Sequence, residues 1–494
     1  MPTFVLPIDN DSGANAYHAR LIIQGEPLYG THHPAHHLPG IYYTYALIFK
    51  MLGDHPNSLQ ATLIFLIWIN GLVIIKIGDA LKNHSGGVFA AVFFVLICSM
   101  PNLLGDTAEI ELFANLPISI VVWLASLQWN NKKSIYVFIL IGVFSAISFL
   151  FKAVYLHSFA AVGLALTLDF LINFKENNFY DFLKNLLFIF LGWALVLVPV
   201  FLYFYFEGLL PRFLLVFKLG SMHVSISDYP WYFTLIFPLL MVSTANLIFL
   251  IIGLVGVIKS LIYFPRTLAT NKKSGILQFV IIVWAFLSII VAGFSRHYFP
   301  HYALLIIPPL SLLVGVEIAE WSNRINNYFF NLSPFKKYIF PVTLVLVVIG
   351  NTLYSSQSYI EGYIKYRARI ISLTEFVSNY TLYGKINLVA QDIAFYIKQN
   401  SNPQDTILTS TQLAQICYLA NRRSSVDVLW PRYVSQLGSP ERAFETKPVY
   451  VVLGPNFQYD EETREWLYLE LEKSYDFEIT FDYYRLYRNH TNKN

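Results

Sequence analysis

The sequence predicts a polytopic α-helical membrane protein of about ten spans with a small C-terminal α/β domain on the outer side. Three observations predict it. The chain is 55% hydrophobic and only 13% charged, outside the range of an ordinary soluble domain. Apolar stretches of about 20 residues, the length that spans a bilayer, recur from Leu59 to Ser358 with short polar gaps between them. Beyond Tyr359 polar residues return at globular density and no apolar run is long enough to cross.

Taken in chain order, spans fall at about 60–80, 86–104, 112–128, 135–151, 153–173, 183–206, 238–263, 276–294, 301–321 and 338–358. Under this count the loops with Lys132 and Lys133, with Arg266, Lys272 and Lys273, and with Arg324, Lys336 and Lys337 lie on one side. The positive-inside rule makes that side cytoplasmic. The opposite, outer set comprises residues 1–58, the turn Gly105–Glu111, Phe151–Ala153, Glu207–Trp231, Ser295–Pro300 and everything from Tyr359 onward. Leu38–Leu52 is apolar and aromatic but short for a span and carries Lys50, so it reads as a helix lying in the interface with its tyrosines at headgroup level. Were it to cross, the basic loops would fall outside. In the C-terminal region Ala390–Asn400, Gln412–Ala420 and Glu461–Lys473 have helical spacing, and Asp405–Thr409 and Val449–Leu453 are strand-like. Three regions follow: a first outer loop with interfacial helices (1–58), a transmembrane domain (59–358) and an extracytoplasmic α/β domain (359–494).

Charge and cysteine usage exclude several classes of function. A net charge of +3 with basic residues scattered among loops offers no nucleic-acid footprint. Cys98 lies in an apolar segment and Cys417 in the polar region, so neither a disulfide framework nor a thiolate metal site is expected. Met1–Asp11 has no basic and apolar signal-peptide pattern. No repeated halves point to a transporter.

Ionisable residues gather in the outer segments. The first loop begins with Asp9, Asn10 and Asp11, then runs through Arg20 to His32, His33, His36 and His37. Carboxylates there suit either helix capping or removal of a proton from a nucleophile. Asp106, Glu109 and Glu111 open the next outer boundary, where helix-dipole compensation is the structural alternative. Lys152 interrupts the hydrophobicity between Ile135 and Ile172, as a snorkelling lysine or as a cation for anionic lipid phosphate. Arg296, His297, His301 and Tyr302 cluster in a further outer loop, and an Arg fork with histidine donors suits phosphate. The four early histidines lack a fixed carboxylate or cysteine complement, so a divalent metal is possible in principle but not the favoured reading.

These residues resemble those of the polyprenyl-phosphate-dependent C-type glycosyltransferases, the superfamily of protein O-mannosyltransferases and the lipid A aminoarabinose transferase. The likeness rests on Asp11-Ser12-Gly13, Ala19-Arg20, Gly25, Pro27, Tyr29 and His37-Leu38-Pro39-Gly40-Ile41-Tyr42-Tyr43 in the first loop. It continues in Glu111-Leu112-Phe113, Phe149-Leu150-Phe151-Lys152 and Arg296 through Pro308-Pro309. The resemblance implies transfer of a hexose-type sugar from a polyprenyl-phosphate carrier to a protein, lipid or glycan acceptor outside the cytoplasm, with inversion, at a bacterial plasma membrane. It places the general base on Asp11, with Asp9 and Glu111 as further catalytic carboxylates. Lys152, Arg296, His297, His301 and Tyr302 take the donor phosphate, and Asp106, Glu109, Arg20 and His37 support the site. Three departures stand out: Ser12 replaces the usual acidic neighbour, Leu38 the first proline of a pair, and the span that precedes the family's first loop is missing, so either a misassigned start codon or a truncated chain is expected. The rival readings are an inactive relative that kept the fold and a lipid or sugar transporter.

Overall fold

The computed structural model describes residues 2–33, 35–130, 134–173, 179–225, 230–294, 296–329, 339–409, 413–426, 442–454 and 461–490. Lys132, Lys133, Lys336 and Lys337 of the basic loops, Ser295, and Gln412 of an expected helix lie outside the described residues. The chain divides into two compact units, residues 61–203 with 223–361, and residues 1–60 with 204–222 and 362–494.

In the first of these units each expected span has a helix over it: α3 (Pro56–Ala80), α4 (His84–Cys98), α5 (Ile110–Asn130), α6 (Ile135–Phe151), α7 (His157–Ile172), α8 (Phe179–Phe206), α10 (Phe233–Thr270), α11 (Lys272–Phe294), α12 (Ile307–Phe329) and α13 (Ile339–Ser355). Among the described residues six helices are long and apolar enough to cross a bilayer: α3, α5, α7 with the 3-10 turn before it, α8, α10 and α11. Shorter α4 and α6 are apolar too, and α13 with α14 (Gln357–Arg367) forms a pair bent by 70°. The expected span at 301–321 starts later, because Pro308 and Pro309 cannot lie deep in a helix and instead occupy its first turn. Small residues let the helices approach: a Cβ on Gly315 of α12 would stand 2.2 Å from the Gly86 carbonyl oxygen of α4. Helix α10 breaks at Asn246 (φ −160°, ψ 102°). Its amide offsets the break by donating to the Val348 carbonyl (2.8 Å) and Thr352 Oγ1 (2.7 Å) while its oxygen accepts from the Phe249 N–H (2.8 Å). A charged triad holds α10 to α12, with Lys259 Nζ at 2.9 Å from both oxygens of the buried Glu317 and 2.5 Å from Glu320 Oε2. That pairing explains how an acidic helix can lie among apolar ones.

The second unit joins the first 60 residues to the C-terminal region. Helix α1 (Asn10–Ile23) and α2 (Gly40–Leu52) are the two helices expected in the first loop. On α2, Ile41, Tyr42, Tyr45, Ile48 and Phe49 are buried while Tyr43, Leu47 and Met51 are exposed. An exposed apolar stripe at i, i+4, i+8 suits a helix lying in a lipid interface. The expected loop Glu207–Trp231 instead contains a helix, α9 (Leu210–Ser225). Gly208 (φ 69°) turns the chain and Pro211 fits a first helical turn. Phe213 then packs on Phe204 and Tyr29, and Arg212 donates to the Tyr29 carbonyl (3.1 Å).

The C-terminal region opens with α15 (Leu373–Tyr380) and α16 (Gly384–Gln399), the latter covering the helix expected from Ala390. A five-stranded sheet follows in the order β2-β1-β3-β5-β4, where β1 is Thr406–Thr409, β2 Arg423–Ser424, β3 Tyr450–Leu453, β4 Tyr475–Phe481 and β5 Tyr484–Asn489. Strand β1 runs parallel to β2 and β3, with α17 (Gln415–Ala420) in the β1–β2 crossover; β3–β5 and β5–β4 are antiparallel. Leu408, Val451 and Leu453 of the sheet bury against Leu467 and Leu471 of helix Glu461–Ser474. The hairpin β4–β5 escapes the sequence reading, although Tyr475, Phe477, Ile479 and Phe481 alternate with polar residues, which is the strand signal.

Candidate active site

The acidic turn, the lysine element and the Arg/His loop converge within the transmembrane unit. Glu111 is the second residue of α5 and is completely buried. Its Oε1 accepts from Lys152 Nζ at 3.0 Å and from the Tyr155 hydroxyl at 2.5 Å. Lys152 stands at the break after α6, where its backbone becomes extended (φ −152°, ψ 139°), and the 3-10 turn Ala153–Leu156 follows. Residues three apart eclipse in such a turn, so Lys152 and Tyr155 reach the same carboxylate. The sequence reading missed Tyr155; its spacing from Lys152 was the available signal. The ammonium also lies 4.9 Å from the Tyr302 ring centroid and 5.7 Å from that of Tyr155, within cation–π range. Lys152 is therefore held by a carboxylate and two aromatic rings.

Glu109 is buried as well. Its Oε1 accepts from Thr107 Oγ1 (3.1 Å), and Oε2 lies 3.8 Å from His301 Nδ1. His301 is buried in the 3-10 turn Pro300–Leu305, stacked on Phe299 (5.7 Å, 6°) and edge-on to Tyr302 (4.6 Å). Asn115, which the sequence reading also missed, secures this turn by donating to the Leu304 carbonyl at 3.1 Å. Arg296 and Tyr298 both adopt left-handed backbone (φ 58° and 55°), rare for non-glycine residues and typical of loops shaped for a task. His297 stacks with Phe299 (6.4 Å). Asp106 lies half-buried in the turn before α5. Glu109, Glu111, Lys152, His301 and Tyr302 are thus one connected group, with Tyr155 added to it.

The first-loop candidates belong to the other unit. Asp9 is the N-cap of α1, its Oδ1 accepting from the Ser12 N–H at 2.9 Å; burial raises its carboxyl pKa, partly offset by that bond. Capping is thus a use for Asp9 that the geometry displays. Asp11 lies in the first turn of α1, half-buried, with Asn10 Nδ2 at 3.3 Å from its Oδ1. Arg20 ion-pairs with Asp54 (2.5 Å). The His37 carbonyl accepts from the Tyr29 hydroxyl (2.9 Å) and its N–H donates to the Tyr42 hydroxyl (3.1 Å), so the backbone at position 37 is fixed.

His18 and His33, both buried, meet Nδ1 to Nδ1 at 3.2 Å. One must donate and the other accept, which only a pair with at least one neutral ring can do. Burial pushes His33 down to about 4 and His18 well below its usual range. The unfolded chain binds its protons near 6.5, so the stability of this loop is full above about pH 6.5 and is lost as pH falls from there toward 4. The expected result is faster amide exchange of residues 10–23 at pH 5 than at pH 7, after correction for intrinsic rates, in the full chain in nanodiscs. An unchanged exchange ratio contradicts it.

No protein-family model matches the chain, and none of the characterised proteins compared with it by sequence does. Solved structures do match in fold. ArnT from Cupriavidus metallidurans bound to undecaprenyl phosphate aligns with a TM-score of 0.60 at 14% identity, over 98% of this chain and 94% of that one. The Archaeoglobus fulgidus oligosaccharyltransferase tethered with an acceptor peptide aligns at 0.52 and 12% identity, over 91% of this chain and 65% of that one. The same oligosaccharyltransferase in complex with Zn and sulfate aligns at 0.50 and 14%, over 98% and 69%. At these identities the fold is what is shared: the chain has the fold of ArnT and of the Archaeoglobus fulgidus oligosaccharyltransferase.

Proposed function

We propose that this chain is an integral membrane glycosyltransferase that moves a sugar, of hexose type, from a polyprenyl-phosphate carrier to an acceptor outside the cytoplasm. The observation that carries the reading is the buried group in which Lys152 meets Glu111, Tyr155 and the Tyr302 ring among predominantly apolar helices. Ionisable groups inside a membrane bundle are costly and are kept for function, and a fixed ammonium beside aromatic rings suits a lipid phosphate. The ArnT likeness, over nearly the whole of both chains, supports the donor class.

In this reading Asp11 accepts the acceptor's proton as the nucleophile attacks the anomeric carbon. The carrier phosphate leaves as an anion, its charge received by Lys152, Arg296, His297, His301 and Tyr302. One base and no covalent intermediate give a single displacement and inversion. Glu111 with Tyr155 holds Lys152, Glu109 faces His301 at 3.8 Å, and Asp9 caps the helix that bears Asp11; Asp106, Arg20 and His37 shape the surrounding segments. The acceptor is a protein, lipid or glycan, and the active side faces outward from a bacterial plasma membrane, with 1–58, 59–358 and 359–494 as the working regions. Cationic side chains neutralise the phosphate here, so no step runs through a metal, although Glu109 and His301 are ligand types that a divalent cation accepts.

The test supplies labelled undecaprenyl-phosphate sugars, as a panel of hexoses, to membranes containing the full chain. Donor consumption with label moved to an acceptor supports the reading, and treatment with EDTA is expected to change the rate by less than about twofold. Loss of transfer in EDTA that Zn or Mn restores would move the phosphate's neutralisation to a metal. No consumption of any donor would leave a binding protein with a transferase fold.

A further inference from the structure

Four residues of α1 that contact the C-terminal region lie on one face. Asn10, Gly13, Tyr17 and Arg20 follow each other by 3, 4 and 3, the spacing of a single helical stripe. Asn10 Oδ1 accepts from the Ala414 N–H at 2.8 Å. Gly13 lies directly on α17: a Cβ there would stand 2.2 Å from Gln415 Cβ and 2.7 Å from its Cα, so only glycine permits this approach. The Tyr17 hydroxyl donates to the His32 carbonyl (2.9 Å) and accepts from the Ser424 N–H of β2 (2.8 Å). Arg20 donates to the Tyr418 carbonyl (2.5 Å) and to Asp54, and its guanidinium stacks 4.0 Å over the Tyr418 ring. The Tyr418 hydroxyl closes the ring of contacts on Asp54 Oδ1 at 2.9 Å.

At 100° per residue the centre of this stripe lies roughly 140° around the helix from Asp11. The face that docks is therefore opposite the face that carries the carboxylate. Two of the four contacts, at Asn10 and Gly13, flank Asp11 in the first turn, where a helix otherwise frays because its N–H groups lack intrahelical partners.

We infer that residues 413–424 of the C-terminal region are a positioning element, which fixes the depth and rotation of α1 and so aims the Asp11 carboxylate. The catalytic consequence rests on the reading of Asp11 as the base; the docking itself does not. Gly13→Ala pushes α1 off α17, and its clash with the Gln415 Cα at 2.7 Å would persist whatever side chain stands at 415; Arg20→Lys keeps the charge toward Asp54 but loses the fork and the stacking.

The experiment uses the full chain in nanodiscs with two readouts: hydrogen exchange of residues 10–23, and turnover of an undecaprenyl-phosphate sugar that the parent consumes. In Gly13→Ala, exchange of residues 10–17 is expected to rise about tenfold while peptides of α10 and α11 stay as in the parent. The kcat falls 10- to 100-fold with donor KM within twofold, and Arg20→Lys shows a smaller loss of the same kind. Unchanged exchange in Gly13→Ala overturns the docking, and raised exchange with unchanged kcat overturns its role in aiming the base. If the parent consumes no donor, or if Asp11→Asn turns over normally, the proposed function or the base assignment fails, and exchange alone still decides the docking.

Discussion

Asp11→Asn is expected to lower sugar transfer by about 10³-fold while leaving the protein folded, since positioned acid–base groups contribute roughly 10²–10⁴ to rate. Asparagine keeps the size and the half-buried place in the first turn of α1, and its oxygen still faces Asn10 Nδ2, now 3.3 Å from Asp11 Oδ1. What it loses is the capacity to accept and retain a proton. The negative charge near the helix N-terminus goes too, at a cost of about 0.3–1 kcal/mol, too little to unfold the chain. Transfer of label at saturating donor, with thermal unfolding of the same preparation, separates the two effects. An Asp11→Asn variant whose rate stays within tenfold of the parent would place the base elsewhere, and Asp9, already engaged as the cap, would be the next residue to test.

The second large effect is expected at the Glu111–Lys152 pair. Lys152→Met strands a completely buried carboxylate beside the Tyr155 hydroxyl. Removing one partner of a buried pair costs about 3–5 kcal/mol, whereas replacing both by apolar residues of similar volume is often neutral. The single variant should therefore unfold at lower temperature, and Glu111→Leu with Lys152→Met should recover most of that loss. Transfer should recover in neither, because the cation that receives the phosphate charge is absent from both. Recovery of transfer in the double variant would make the pair purely structural. Lys152→Arg offers a further contrast: it keeps the charge toward Glu111 but spreads it over a planar fork, so it should unfold like the parent and bind donor differently.

How far the sequence reached can be seen residue by residue. The spans were legible because a bilayer imposes about 20 apolar residues whatever the helix packs on, and α2 was legible from its short aromatic run. Helix α9 was not, because Leu210–Ser225 mixes Arg212, Lys218 and His223 with apolar residues and its inward anchor, Phe213, is identified only by Phe204 and Tyr29 across from it. Glu111, Lys152, His301 and Tyr302 were legible as ionisable and aromatic residues at the ends of apolar segments. Their grouping was not, since 41 residues separate Glu111 from Lys152. Tyr155 offered only its three-residue spacing from Lys152, a weak signal because Tyr is frequent at membrane boundaries, and Asn115 carries none outside the fold because it acts through a carbonyl contributed by Leu304.

Sequence alone determined the solvent of each segment, the approximate limits of the apolar helices, the C-terminal α/β region and the residue types available for chemistry. Those properties follow from local composition and periodicity, which act over one or two turns. The tertiary structure decided which charges are paired, that Asp9 serves as a cap, that α10 breaks at Asn246 against Val348 and Thr352, and that Gly13 is there to admit Gln415. Each of these depends on a partner that composition and periodicity do not identify, and a buried polar group or a close backbone approach has no meaning until that partner is in place.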